Sequence, residues 1–162
     1  MPAPSNDQDA AFMRIAVDLA AEHMRQKAGG PFGAIVVRGS EIIGRGWNRV
    51  TSTNDPTAHA EVVAIRAAAD ALRSFSLAGC VLYTSCEPCP MCLAAACWAR
   101  LDRIVFAADR RDAAVAGFDD AEFYAEVSRP HSERKLSISQ SLREEAVRVF
   151  DEWRAMPDKT PY

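Results

Sequence analysis

The chain has 162 residues, 49% of them hydrophobic and 25% charged, which is ordinary globular composition and enough length for one domain whose core needs no disulfide staples. Nineteen basic residues against 22 acidic ones leave a net charge of −3 with no long basic run, which argues against a polyanionic partner; the pairs Arg110-Arg111 and Arg134-Lys135 read as solvated surface charge. No apolar stretch approaches the length of a membrane span and the N-terminal residues lack the pattern of a secretory signal, so the expectation is a cytoplasmic protein without membrane contact.

Five cysteines, at positions 80, 86, 89, 92 and 97, form an odd and tightly clustered set. That is a poor disulfide framework and suits metal or redox chemistry in a reducing compartment. In chain order, Phe12, Ile15, Ala16, Leu19 and Ala20 recur at helical spacing, and Ser5 with Gln8 offers a capping box. After the break at residues 29–33, two apolar runs at 34–37 and 42–43 flank Arg38-Gly39-Ser40 as a hairpin. Residues 51–56 read as loop, and Asp55 or Thr57 would cap a helix over about 58–72, with His59 in its first turn. A strand at 80–84, a Cys- and Pro-rich turn, an alanine-rich helix at 93–99, a strand at 104–106 and helices at 121–127 and 142–156 follow. Alternating strands and helices imply an α/β sandwich with at least partly parallel pairing. No internal repeat or linker divides the chain.

The chemistry concentrates in His59, Glu61, Cys89 and Cys92. A catalytic zinc site takes three protein ligands, drawn from His nitrogen and Cys sulfur, and keeps a fourth position open for water. Pro90 suits the first helical position, which makes Cys89 the N-cap and puts Cys92 in the first turn, so both sulfurs point off one helix end. The positive end of that helix lowers thiol pKa values, and zinc requires thiolates. Glu61, two residues after His59, would diverge from it in a regular helix and so is not a fourth ligand. Its arm can reach the open position and carry a proton from water to a leaving amine.

Cys86 forms a second, overlapping C-x-x-C with Cys89, which leaves open a dithiol pair or a four-ligand structural site; neither reading explains His59 and Glu61. Cys80 and Cys97 read as small core residues, and His23 and His131 as surface or capping histidines.

His59-Ala-Glu61 followed by Pro88-Cys-Pro-Met-Cys92 is the zinc-deaminase signature. With Gly30-Pro-Phe-Gly-Ala34, Asn54-Asp-Pro-Thr-Ala-His-Ala-Glu-Val62, Tyr83-Thr-Ser-Cys-Glu-Pro-Cys-Pro-Met-Cys-Leu93 and Ala116-Gly-Phe-Asp-Asp120, the chain resembles the cytidine deaminase-like superfamily. Within it, the chain is most similar to the short, zinc-dependent bacterial guanine deaminases. The resemblance implies a three-layer α/β/α sandwich around a mixed sheet of about five strands, one zinc ion per subunit, a homodimer, and hydrolysis of guanine to xanthine and ammonia. It implies that His59, Cys89 and Cys92 hold the metal and Glu61 shuttles protons. It assigns base contacts to Asn48, Asp120 and Tyr162, with Phe32, Trp98 and Ala60 as further contacts. It also implies a single deaminase domain over 1–156, with residues 157–162 as a lid that can be exchanged between protomers.

Each assignment has a plainer alternative. Asn48 can end a strand, Asp120 can cap a helix, Tyr162 can be a frayed terminus, and Phe32 or Trp98 can pack the core. Glu126, Glu144 or Glu145 would be a second proton carrier or a surface charge. The rival functions are a tRNA adenosine deaminase, a cytosine or aminotriazine (ammeline) deaminase and, from another class, a structural zinc module. An RNA enzyme needs a basic groove, whereas a structural module needs four closed ligands.

Overall fold

In the computed structural model, residues 6–162 are described; the Ser5 capping box lies outside them. Two compact units appear, one ending at Tyr124 and a smaller one, Ala125–Tyr162.

The larger unit is built on a mixed sheet. Helix α1 (Asn6–Arg25) is followed by strands β1 (Gly33–Arg38) and β2 (Glu41–Trp47), a one-turn helix α2 (Val50–Thr53), helix α3 (Ala60–Leu72), strand β3 (Cys80–Cys86), helix α4 (Pro90–Trp98), strand β4 (Arg103–Ala108) and helices α5 (Arg110–Val115) and α6 (Ala121–Ser128). Strand order is β2-β1-β3-β4, antiparallel except for the parallel pair β3 and β4. Gly39, at φ 62°, opens the two-residue β1–β2 turn, where a primed hairpin turn calls for glycine.

Alternation along the strands sorts the two faces. Ile35, Val37 and Tyr83 pack with Phe12 and Ala16 of α1 on one side. Ala34, Val36, Cys80 and Leu82 pack with Ala60, Ala64 and Ala68 of α3 and with Ala96 of α4 on the other. Helices on both faces make the expected three-layer sandwich, but the sheet among the described residues has four strands where about five are expected. After β4 the chain enters α5, which Asp109 and Asp112 start with a reciprocal capping box.

Two small-residue ridges bring α3 down onto the sheet. Ala60, Ala64 and Ala68 recur every four residues on one helix face, and Gly44 and Gly46 recur every two residues on the facing side of β2. A Cβ on Gly46 would lie 2.2 Å from the carbonyl oxygen of Ala60, so only glycine allows this approach. The outer edge of the sheet is tied to α1 by Arg103, which donates from Nη1 and Nη2 to Asp9 at 2.9 and 2.6 Å, while the Tyr83 hydroxyl donates to the same carboxylate at 2.6 Å.

Some local expectations change. Residues 51–56 contain the α2 turn rather than loop alone. The helix expected at 58 starts at Ala60, with His59 itself as N-cap; Asp55 instead accepts from the Thr57 N–H at 2.8 Å. Cys80 is core as expected, whereas Cys97 is exposed.

The smaller unit contains a short 3₁₀ turn (His131–Glu133) and helix α7 (Arg143–Ala155), which buries no residue. Glu126 binds Arg129 at 2.8 Å and accepts from the Leu136 N–H at 3.0 Å, and Glu144 and Glu145 occupy the acidic first turn of α7. These local roles favour structure over proton transfer for all three. No helix among the described residues is long and apolar enough to cross a membrane.

Gly46→Ala is expected to lower stability by about 1–3 kcal/mol, because the new methyl meets helix backbone that cannot swing aside. Denaturant unfolding would show a lowered midpoint, with Arg45→Ala on the exposed face of the same strand shifting it by less than about 0.5 kcal/mol.

Candidate metal centre

Two helix N-termini meet at the site. His59 is the N-cap of α3 and Cys89 the N-cap of α4; both have extended backbones, at ψ 154° and 168°, and neither side chain makes a capping hydrogen bond. Pro90 follows Cys89 at the start of α4, as its fixed φ favours. The side chains that would ordinarily satisfy first-turn N–H groups are turned to each other instead. His59 Nδ1 lies 3.6 Å from Cys89 Sγ and 3.6 Å from Cys92 Sγ, and the three ligand atoms lie within 4.8 Å of one another.

This arrangement fits zinc. Tetrahedral bonds of about 2.3 Å to sulfur and 2.0–2.1 Å to nitrogen place N and S roughly 3.6 Å apart. The charges agree as well. The Cys89 thiol is pulled down to about 4, chiefly by a hydrogen bond with Cys92 and further by His59. Cys92 is pushed up by that same hydrogen bond and by burial. His59 is raised by its hydrogen bond to Cys89. Without a cation the pair supports a single thiolate; the second needs the positive charge that a divalent metal brings.

Glu61 is 6% exposed, and burial raises its pKa. It is the second residue of α3, in the turn that has His59 as its N-cap. His59 is extended and only Glu61 is helical, which is the helix-start placement from which the Glu61 arm is expected to reach the open position.

Cys86 stands apart from the ligand cluster. Its thiol donates to the Asp109 carbonyl at 3.8 Å, and burial pushes its pKa up to about 11. The set of three protein ligands with an adjacent carboxyl group is that of a catalytic site and not of a closed four-ligand one.

Asn48 follows β2 and is buried. Its Oδ1 accepts from the N–H groups of Gly30 (3.2 Å) and Val50 (3.3 Å), which orients the amide and leaves Nδ2 as its outward donor. The Arg49 N–H donates to Ala58 O at 2.9 Å, stitching this loop to the residue before His59. Ala60 is fully buried at the first position of α3, where its N–H has no intrahelical acceptor.

Asp120 precedes α6, but the capping bond comes from Asp119, which accepts from the Ala121 N–H at 3.0 Å. Burial, and then the charge of Cys89, raise the pKa of Asp120, and the charge of Asp120 in turn raises that of His59. Phe32 packs against the core and meets the ring of Phe118 edge-on at 4.9 Å.

Trp98 does not join this group. It ends α4, nine residues beyond Cys89 and so about 13 Å along the helix axis, and is 62% exposed, which also excludes a core role. Tyr162 belongs to the smaller unit and is 72% exposed. Phe118 lies within the Ala116–Asp120 block quoted above but has no role assigned there, and Tyr124 carries no motif signal of its own. Only its neighbourhood to Asp120 could have pointed to Tyr124.

Residues 6–108 match the family described as the cytidine and deoxycytidylate deaminase zinc-binding region. The chain is 48% identical to the guanine deaminase of Bacillus subtilis (strain 168) over 151 residues, covering 93% of this chain and 97% of that protein. It matches the X-ray structure of the Bacillus subtilis guanine deaminase with a TM-score of 0.92, over 94% of this chain and 98% of the other. A tRNA-specific adenosine deaminase of Buchnera aphidicola subsp. Schizaphis graminum (strain Sg) is 39% identical over 107 residues, 66% of this chain and 70% of the relative.

Cys86→Ser is expected to retain one zinc per chain, whereas Cys92→Ser should retain almost none. Metal analysis of the purified variants after dialysis measures both. Loss of zinc from Cys86→Ser would make Cys86 a ligand.

Proposed function

Because this chain belongs to the cytidine and deoxycytidylate deaminase zinc-binding family, we propose that it is an enzyme that hydrolyses guanine to xanthine and ammonia with one zinc ion per subunit. The observation that carries guanine over an RNA-borne adenosine is the reach of the likeness. It runs through nearly the whole of this chain and of the Bacillus subtilis guanine deaminase, residues 117–120 included, while the tRNA-specific relative matches about two thirds.

Charge supports the same choice. Arg110 is engaged with Glu87, Arg111 with Asp109, and Arg134 donates to the carbonyl oxygens of Arg129 and Val127, so the two basic pairs of the sequence do not supply a row of free cations for phosphates.

His59, Cys89 and Cys92 hold the metal. When bound, zinc supplies Lewis acidity that makes water acidic near neutral pH. Glu61, buried beside Cys92, takes the proton that water gives up and delivers it to the departing amine as the C–N bond breaks, so that ammonia leaves and oxygen stays on the ring. Asp120 accepts hydrogen bonds from the N–H groups of guanine, and Asn48 donates from Nδ2 to the purine. Phe32 and the buried start of α3 at Ala60 form the wall against which the ring rests and from which water is excluded. Thiolate ligands suit the reducing cytoplasm, where this reaction is placed.

The enzyme acts as a homodimer in which residues 157–162 of one protomer close over the base in the other, with Tyr162 as the lid. Two features support this. Along α7, Val149, Phe150 and Trp153 are exposed, and the alternating Leu136-Ser-Ile138-Ser run has the pattern of a half-buried strand yet leaves Leu136 73% exposed. A partner chain covers such surface in a symmetric dimer.

Incubated with guanine, adenine, cytosine, guanosine and ammeline, the zinc-loaded protein is expected to release ammonia fastest from guanine. Glu61→Gln should keep its zinc and lose ~10²–10⁴-fold in turnover. Zinc loss from that variant would recast Glu61 as a ligand. For the dimer, Glu61→Ala and a chain lacking residues 157–162 should each be inactive, and activity should return when the two are unfolded and refolded together. Verified heterodimers that stay inactive would show that the lid serves its own chain or is dispensable.

A further inference from the structure

We infer that Tyr124 is a positioning residue for base recognition: its hydroxyl, hydrogen-bonded to the carbonyl of Pro88, holds Asp120 at a fixed reach from the metal ligand Cys89. The inference rests on the guanine reading above and names a part of that site which no motif marks.

The Tyr124 hydroxyl donates to Pro88 O at 2.8 Å, and Pro88 is the residue immediately before Cys89. At the other end, the Tyr124 N–H donates to Asp120 O at 3.3 Å across the first turn of α6. One rigid helical turn therefore connects the carboxylate that would face the base to the loop that carries the metal.

A second tether lies on the far side of Asp120, where Phe118 meets Phe32 edge-on. Asp120 is thus bracketed by an aromatic contact to the 30–32 loop and a hydrogen bond to the 86–89 loop. The bracket matters because α6 buries no residue: its first turn takes its place from such specific contacts and not from core packing.

The phenol is itself held. The Arg110 guanidinium sits 4.6 Å from the ring centroid of Tyr124, the Arg110 N–H donates to Glu87 Oε2 at 3.1 Å, and Glu87 lies two residues before Cys89. Arg110 and Tyr124 together grip two consecutive residues of the ligand loop. A carboxylate that must meet two N–H groups at hydrogen-bond distance tolerates little drift, so releasing one tether should weaken recognition while leaving the metal in place.

Tyr124→Phe removes the hydroxyl and keeps the ring under Arg110. The test measures guanine binding by equilibrium dialysis with labelled guanine in the zinc-loaded Glu61→Gln protein, which holds the base without consuming it. Tyr124→Phe is added with Asp120 present and with Asp120→Ala. The expected result is binding weakened roughly five- to tenfold when Asp120 is present and less than twofold when it is absent, at unchanged zinc content and unfolding temperature. Equal weakening in both backgrounds, no weakening in either, or loss of zinc would each overturn the positioning role. If the Glu61→Gln parent does not bind guanine at all, the guanine reading falls and this inference falls with it, an outcome distinct from the other three.

Discussion

Every α-helix begins with N–H groups that have no partner within the helix, and a short polar side chain at the N-cap usually satisfies one of them. At α3 and α4 this protein puts His59 and Cys89 in that place and directs both away from the cap. Forgoing two such caps costs about 1 kcal/mol each, by the usual effect of replacing one with alanine. What is gained is a pair of positive helix ends converging on one point, with one imidazole and two cysteine sulfurs gathered there. The metal-binding property depends on that convergence.

The convergence in turn depends on how close α3 can come to the sheet. Glycines 44 and 46 and the alanines at 60, 64 and 68 bring helix backbone against strand backbone at a distance no larger residue would permit. β3 then runs up the middle of the sheet and delivers Cys86 at its end, so the turn into α4 starts at a defined height. The Cys86 thiol faces the Asp109 carbonyl and the two ligand cysteines lie beyond it, which explains why a motif with two overlapping C-x-x-C spacings resolves into one metal pair and one structural thiol.

The proposed base-recognition side is made differently. Asn48, Phe32 and Asp120 come from loops, and each is held by specific contacts: Asn48 by two backbone N–H groups, Phe32 by Phe118, and the Asp120 segment by Tyr124. A rigid metal centre on helix ends beside a recognition wall on loops suits a family whose members share chemistry and differ in substrate, because the wall can change without disturbing the ligands.

Local chemistry made much of this readable from sequence. Pro90 marks the start of α4 and so predicts that Cys89 and Cys92 project from one helix end, and two apolar runs flanking Arg38-Gly39-Ser40 predict the first hairpin. These features depend on neighbours within a few residues, which is the range over which caps, turns and periodicity act. Tertiary structure alone decided that α3 starts at Ala60 with His59 as its N-cap, two residues later than the local capping candidates Asp55 and Thr57 indicate. It alone decided that Trp98 and Cys97 face outward, since α4 is apolar on every side and its sequence names no buried face. The contacts of Phe118 with Phe32 and of Tyr124 with Pro88 join residues far apart in the chain. No period or spacing encodes such a pair, and only the packed fold brings its two halves within reach of each other.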